Sequence, residues 1–245
     1  MDGVTPYSDG RGKTDQVRDM FDNIAPAYDG LNRAMSFGLD KAWRRCAVDV
    51  VAKAGAKKIV DIATGTGDFA ISLAQAIPDS TVTGLDLSEK MVEIGRKKVC
   101  DTGLSDRISL LTGDCLDSPL ADARADAVTV AFGVRNFTDL LAGYRAMHRM
   151  LRPGGILCVL ELSTPPGLIV KPFYSLYAKR IIPMMGRLWS KDSRAYSYLP
   201  ESIAAVPQGS DMLGLMEQAG FKNTSFRRLT FGVCTLYTAV TPDDR

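Results

Sequence analysis

Residues 59–74 read IVDIATGTGDFAISLA, and the fold turns on how this stretch is taken. An apolar run rich in β-branched residues stops at Ala63. Glycines follow at 65 and 67, and DFAISLAQAI then repeats its apolar residues at helical spacing. Gly65, Gly67 and Ala70 thus stand in G-x-G-x-x-A spacing between a strand and a helix, and Asp86 closes the next β-like run, TVTGLDL, about 20 residues on. Glycines at such a turn let the backbone approach a ligand, and an acid at that distance can accept hydrogen bonds from both ribose hydroxyls. The pattern implies a nucleoside site. A dinucleotide would set its pyrophosphate over the helix N-terminus, where Asp68 would repel it. A carboxylate there suits a cationic nucleoside, and it equally suits the first turn of any helix.

Outward from this unit the same rhythm continues. SEKMVEIGRKKVC reads as a helix, ISLLTGD and ADAVTVAF as strands, TDLLAGYRAMHRML as a helix and GILCVLEL as a strand. Alternation of this kind means βαβ units, a mostly parallel sheet and helices on both faces, a doubly wound α/β fold. After the helix DMLGLMEQAGF, closed by Gly220, NTSFRRLTF and GVCTLYTAV form two strands joined tightly at Phe231-Gly232, so this terminal pair is antiparallel. The expected organisation is a single domain over 1–245: an N-terminal helical lid at 14–54 with a polar loop YDGLNRAMSFGLD between two helices, a ligand-binding core at 55–164, a cap insertion at 165–207, and a C-terminal helix and strand pair at 208–241.

The chain has 245 residues, 46% hydrophobic and 24% charged, enough for one substantial core. A formal charge of +2 argues against nucleic acid as a main partner. The five cysteines at 46, 100, 115, 158 and 234 never fall in C-x-x-C spacing, against both a disulfide framework and a zinc site. No metal site is expected. A cytoplasmic setting fits, with any membrane contact peripheral, because the N-terminus lacks an apolar signal core and no run of about 18 apolar residues occurs.

In order and spacing, D-I-A-T-G-T-G-D (61–68), G-L-D-L-S (84–88), G-D-C (113–115) and L-R-P-G-G (151–155) resemble the motifs of class I S-adenosylmethionine-dependent methyltransferases. F-D-N-I-A-P-A-Y-D-G-L-N (21–32), S-F-G-L-D-K-A-W-R (36–44), F-G-V-R-N-F (132–137) and E-L-S-T-P (161–165) look like signatures of the quinone C-methyltransferases of menaquinone and ubiquinone biosynthesis. The resemblance runs from about residue 15 to about 240. It implies a Rossmann-like sheet of seven strands with an antiparallel last strand, and S-adenosyl-L-methionine as cofactor. It implies cofactor contacts at Gly65, Thr66, Gly67 and Asp86, with Asp114 and Cys115 beside the adenine. Relatives more often carry asparagine and alanine at that last pair, and many have serine where this chain has Ala131. The implied reaction is methylation of a ring carbon of a polyprenylated quinol, with demethylmenaquinol preferred and the 2-methoxy-6-polyprenyl benzoquinol of ubiquinone synthesis as the rival. From other classes, an NAD(P)-dependent oxidoreductase and a non-catalytic nucleoside-binding module compete.

Carbon methylation needs a nucleophilic ring carbon, which a quinol provides once a phenol oxygen loses its proton. FGVRNF places Arg135 and Asn136 where a buried strand ends, the edge at which parallel sheets bind ligands. Arg135 would stabilise the phenolate and Asn136 orient the ring or the cofactor. Alternatively Arg135 pairs with a carboxylate such as Asp22 or Asp139 and Asn136 caps the next helix. Tyr28 and Asp29 would add a hydroxyl and a carboxylate from the lid, against a packing role for Tyr28. His148 sits on a helix leading away from this edge and reads as structural. Lys171, Lys179, Arg180 and Arg187 are interleaved with aliphatic, aromatic and methionine residues in 168–189, which suits either an anionic lipid surface or a cap helix or homodimer contact. WSKDSRAYSYLPESI (189–203) would bring Tyr196 or Tyr198 towards the ring.

Overall fold

The computed structural model describes residues 4–118, 120, 124–167, 170–177, 180 and 193–243. Strands β1 (Lys58–Ile62), β2 (Thr81–Asp86), β3 (Ile108–Thr112), β4 (Ala125–Ala131), β5 (Leu151–Leu162), β6 (Lys222–Leu229) and β7 (Cys234–Val240) form one seven-stranded sheet in the order β3-β2-β1-β4-β5-β7-β6. The first five pair in parallel, and β7 runs antiparallel to both β5 and β6. The central strands are buried on both faces, which is why β1 and β4 are mostly apolar; their buried polar exceptions, Asp61 and Thr129, bond each other at 2.6 Å.

Helices α1 (Lys13–Ile24), α2 (Tyr28–Met35), α3 (Leu39–Lys53), α4 (Asp68–Ala76), α5 (Glu89–Asp101), α6 (Leu140–Met150), α7 (Val170–Leu176), α8 (Ser193–Ala205) and α9 (Ser210–Gln218) accompany the sheet. Trp43, Val48 and Val51 of α3 pack with Phe69 and Leu73 of α4 on one face, while Tyr144 and Met147 of α6 pack with Met212 and Met216 of α9 on the other. Side-chain caps fix two starts: Ser88 Oγ accepts from Met91 N at 3.2 Å, and Asp139 Oδ1 from Ala142 N at 2.9 Å.

The lid differs from the expected pair of helices. Most of the polar loop is the helix α2, and the true connection to α3 shrinks to Ser36, Phe37 and Gly38. Leu31 explains this: it is buried with Met20, Ile24 and Met91, so tertiary packing overrides the loop-like composition of YDGLN. Lys98 Nζ then anchors α2 to the glycine turn by bonding Asp29 Oδ2 at 2.8 Å.

Gly84 holds β2 close to its neighbours. A Cβ there would lie 2.5 Å from Leu110 Cδ2 and 2.7 Å from Thr64 Oγ1. Gly84→Ala is therefore expected to overpack this point, to cost about 1–3 kcal/mol, and to lower the melting temperature by several degrees in a thermal unfolding scan without changing the fold.

Candidate active site

The C-terminal tips of β1 and β4 carry two strained residues. Ala63 has φ 52° and Phe132 φ 61°, left-handed values that non-glycine residues avoid. Both line a cleft that encloses about 820 Å³ including its mouth. Its floor on the β2–β3 side is Asp86, Leu87, Gly113, Asp114, Cys115 and Leu116, and on the β4 side Ala131, Phe132, Asn136 and Phe137. Thr14, Val17 and Phe21 of α1 cover it. Lys13 Nζ fastens that cover by donating to the carbonyl of Phe137 at 3.0 Å, and Thr14 and Thr138 share a hydroxyl bond of 3.0 Å.

Asp86 is the electrostatic centre of the cleft. Its Oδ2 accepts from Gly65 N at 2.8 Å and its Oδ1 from Ser88 N at 2.9 Å. Burial raises its pKa, and the two backbone N–H groups work against that rise. Each oxygen keeps a second lone pair, the acceptors a ribose diol requires. Burial pushes the Cys115 thiol up to about 12, so it is a protonated packing group.

Gly65, Asp86, Asp114, Cys115, Tyr28 and Asn136 thus meet around one cleft, whereas Thr66 and Gly67 are not among its lining residues. The Thr66 hydroxyl donates to Asp29 Oδ1 at 2.7 Å and accepts from Lys98 Nζ at 3.1 Å. Gly67, at φ 77°, supplies the left-handed N-cap of α4. Asp68 pairs with Lys98 and, at 4.0 Å, with Arg33. Lys98 is shared with Asp29, and Asp68 stands at the first turn of α4 facing these cations.

Arg135 does pair with a carboxylate, but neither Asp22 nor Asp139 is the partner. Its Nη1 donates to Glu161 Oε1 at 2.8 Å and also to the carbonyl of Phe132, and its backbone N donates to Glu161 Oε2 at 3.2 Å. Both side chains are buried, 7% and 2% exposed. Asp22 accepts from Ser88 Oγ instead, and Asp139, rather than Asn136, caps α6. Burial alone would lower the Arg135 pKa. Glu161 and the phenols of Tyr28 and Tyr198 outweigh it, so the guanidinium is held cationic.

Two further cavities adjoin the cleft. One, of about 410 Å³, is lined by Tyr28, Asn32, Arg135, Asn136 and Tyr198 with Met20 and Leu31. The other, of about 650 Å³, has Tyr28, Trp43, Arg44, Phe132, Arg135, Tyr174 and Tyr177 in its walls. Tyr28 lines all three spaces and Arg135 the latter two. Arg135 Nε, Asn136 Oδ1 and the Tyr198 hydroxyl are buried and make no hydrogen bond. Three such atoms around one space mark a place for a polar ligand. Burial raises the phenol of Tyr28 and takes those of Tyr174 and Tyr198 to about 12, so all three act as neutral donors.

Several contributors escaped sequence reasoning. Glu161 had one signal, a carboxylate interrupting the apolar strand GILCVLEL. Lys98 and Tyr174 had none. Asp40 and Arg44, bonded at 2.6 Å in the wall of the larger cavity, lay within a quoted motif without a role. His148 stacks edge-on against Phe221 at 5.0 Å, remote from the cleft. Of the basic residues at 168–189, Lys179, Arg187 and the Lys171 side chain lie outside the described residues, as does the Tyr196 side chain. Among the described residues no helix is long and apolar enough to cross a membrane, and no His, Cys, Asp and Glu cluster could hold a metal.

A 3-2-1-4-5-7-6 sheet with a covered nucleoside cleft over β1, β2 and β4 is the architecture of class I S-adenosylmethionine-dependent methyltransferases. Solved structures agree on the fold: the [4+2]-cyclase SpnF superposes with a TM-score of 0.65 at 17% identity, over 94% of this chain and 96% of that one. A methyltransferase from Thermotoga maritima, described as a possible histamine N-methyltransferase, gives 0.63 at 17% identity over 91% and 98%. Within that class the chain belongs to the ubiE/COQ5 methyltransferase family, whose profile matches residues 10–241. It is 49% identical over 236 residues to the demethylmenaquinone methyltransferase of Bacteroides fragilis, covering 96% of each chain. It is 45% identical to that of Porphyromonas gingivalis, again over 96% of each. With the ubiquinone/menaquinone biosynthesis C-methyltransferase UbiE of Geotalea daltonii it shares 44% over 227 residues, 92% of this chain and 96% of the other.

Proposed function

We propose that the protein methylates a ring carbon of a polyprenylated quinol, converting demethylmenaquinol to menaquinol, with S-adenosyl-L-methionine as donor. The cleft fits the donor: Asp86 offers two acceptors, Gly65 admits close approach, and Leu87, Leu116 and Phe137 supply apolar walls with Asp114 at the β3 tip. Bound there, the donor supplies an electrophilic methyl group.

The residues of this chain do the rest. Arg135 Nε–H, buried and unpartnered, donates a charge-assisted bond to the quinol oxygen and favours its phenolate form. Glu161 holds the guanidinium in place through Nη1 and the backbone. The guanidinium stays protonated and has no free base form to accept a proton, so its part is electrostatic; the phenolic proton, and after methyl transfer the ring-carbon proton, leave to water. The hydroxyls of Tyr28 and Tyr198 remain protonated and orient the ring, and Asn136 Oδ1 accepts a hydroxyl that still carries its proton. With the ring among Arg135, Asn136 and Tyr198 in the smaller cavity, Tyr174, Trp43 and Phe132 give the larger one aromatic walls suited to the start of its tail.

The carrying observation is the trio of buried, unpartnered polar atoms beside the nucleoside cleft. Purified enzyme supplied with labelled donor tests the reading against both quinols. Methylation of demethylmenaquinol in preference to 2-methoxy-6-polyprenyl benzoquinol is the expected result. Label entering only the benzoquinol would move the enzyme to ubiquinone synthesis, and label entering neither would remove the quinol reading.

A further inference from the structure

Phe132 holds a backbone conformation that its own side chain opposes. Its φ of 61° lies in the left-handed region, where a bulky residue is an outlier and persists only when its surroundings over-determine it. The sheet supplies part of that constraint. Phe132 N donates to the carbonyl of Leu160 at 2.7 Å, and Gly133 sits so near the tip of β1 that a Cβ there would lie 2.5 Å from Ala63 Cβ. Helix α3 of the lid supplies the rest. Trp43 meets the Phe132 ring edge-on with centroids 6.2 Å apart, and the Arg44 guanidinium lies over that ring, 5.5 Å from its centroid. A guanidinium this close to a ring face is attracted by the ring quadrupole, more strongly where water is excluded. The Arg44 side chain is 11% exposed.

Both lid residues are anchored independently of the ring. Asp40 accepts from Arg44 Nη1 at 2.6 Å through one oxygen and from Ser36 Oγ at 2.9 Å through the other. Trp43 Nε1 donates to Thr230 Oγ1 at 2.8 Å, which ties α3 to the turn between β6 and β7.

The conformation matters because of what the Phe132 carbonyl does. It accepts from Arg135 Nη1, the same nitrogen that donates to Glu161 Oε1 at 2.8 Å. One acceptor comes from β5 and the other from the turn after β4, and together they fix the guanidinium plane, with Nε left unpartnered. Were Phe132 to leave its left-handed conformation, that carbonyl would turn away and Glu161 alone would hold the guanidinium. Trp43, Arg44 and Phe132 all line the larger cavity, and none of them lines the smaller one that receives the quinol ring.

We propose that Arg44 and Trp43 are positioning residues for Arg135: by gripping the Phe132 ring they keep the turn after β4 left-handed and its carbonyl on Arg135 Nη1, a role that rests on the reading of Arg135 as donor to the quinol oxygen. Acting only through Arg135, they cannot cost more than the loss of Arg135 itself, about 10²–10³ in rate.

Arg44→Lys tests the grip, because lysine keeps the charge and the ion pair with Asp40 and gives up the planar stack on the ring. With a tail-less, water-soluble quinol and saturating donor, kcat is expected to fall about tenfold at a wild-type melting temperature. Added to Arg135→Lys, the same substitution should change kcat by less than about twofold. Trp43→Phe, which releases that ring from Thr230, provides a second cycle that holds even where Arg44→Lys folds poorly, with an expected loss of about threefold. Wild-type kcat in both variants overturns the positioning role, and so does an equal loss in the presence and absence of Arg135. A loss seen only as a raised KM for the tailed quinol overturns it too, leaving the two residues as wall for the tail. A readout that needs no quinol separates this result from the reading beneath it. In NMR spectra of protein with isotope-labelled arginine, the Nε–H line of Arg135, identified by its absence from Arg135→Lys, should be narrow in wild type and broadened in both variants. A line that stays narrow overturns the grip. If wild type methylates no quinol, the quinol reading fails and that line alone decides whether α3 holds Arg135.

Discussion

Arg135→Lys is expected to lower kcat by about 10²–10³, the loss typical when one preorganised donor to a developing oxyanion is removed, while donor affinity changes less than threefold. Lysine keeps a cation that can reach Glu161, so the buried pair survives in altered form. It cannot supply the second, separate N–H that Arg135 carries at its buried, unpartnered Nε. Arg135→Ala is the harsher companion. It would strand Glu161, which is 2% exposed, as a buried unpaired charge, at a cost of about 3–5 kcal/mol in stability. Activity lost by Arg135→Ala is therefore ambiguous, and activity lost by Arg135→Lys in a protein that still melts near the wild-type temperature is not. Single-turnover methylation and calorimetric donor binding read the two quantities separately. Wild-type kcat in Arg135→Lys would falsify the assignment. The guanidinium is raised further above its ordinary range, so it contributes no titration to the wild-type pH profile.

The difference between what the sequence announced and what it concealed follows from contact range. Strands buried on both faces must be largely apolar, so β1, β2, β4 and β5 appear as mainly apolar runs, and the βαβ rhythm with its antiparallel end was legible from local pattern. The helix α2 was not, because Gly30, Asn32 and Ser36 compose a loop locally and only the burial of Leu31 among Met20, Ile24 and Met91 makes them helical. The partner of Arg135 failed for a related reason. Asp139 is near in sequence and Asp22 was drawn from the lid, but β4 and β5 are adjacent, and that adjacency brings Glu161 across 26 residues to the loop after β4. The orientations of Thr66 and Asp68 depend on Lys98, which reaches back from α5 to both. Local chemistry exposed the cleft; the countercharges that orient it came only with topology.

Asp86 is expected to govern donor binding to a comparable degree. Each of its oxygens already accepts one backbone N–H, from Gly65 at 2.8 Å and Ser88 at 2.9 Å, so its remaining acceptors have fixed directions before any ligand arrives. Two bonds from ribose hydroxyls to a charged acceptor are worth about 1.5–3 kcal/mol each. Asp86→Asn removes the charge and turns an NH₂ towards one of the two N–H donors, so it also unsettles the glycine turn. Calorimetry is expected to show the dissociation constants of S-adenosylmethionine and of its demethylated product both raised by about 10²–10³. With donor at saturation, kcat should stay within a few-fold of wild type, because Asp86 belongs to the donor side and Arg135 to the ring side of the site. Thr66→Val supplies the contrast. Its hydroxyl is committed to Asp29 and Lys98, so it should leave the dissociation constant almost unchanged even though the family resemblance implies a cofactor contact there. If Thr66→Val weakens the donor as much as Asp86→Asn, the nucleoside lies deeper over α4 than the cleft indicates. If Asp86→Asn binds within threefold of wild type, the ribose is not held at the tip of β2.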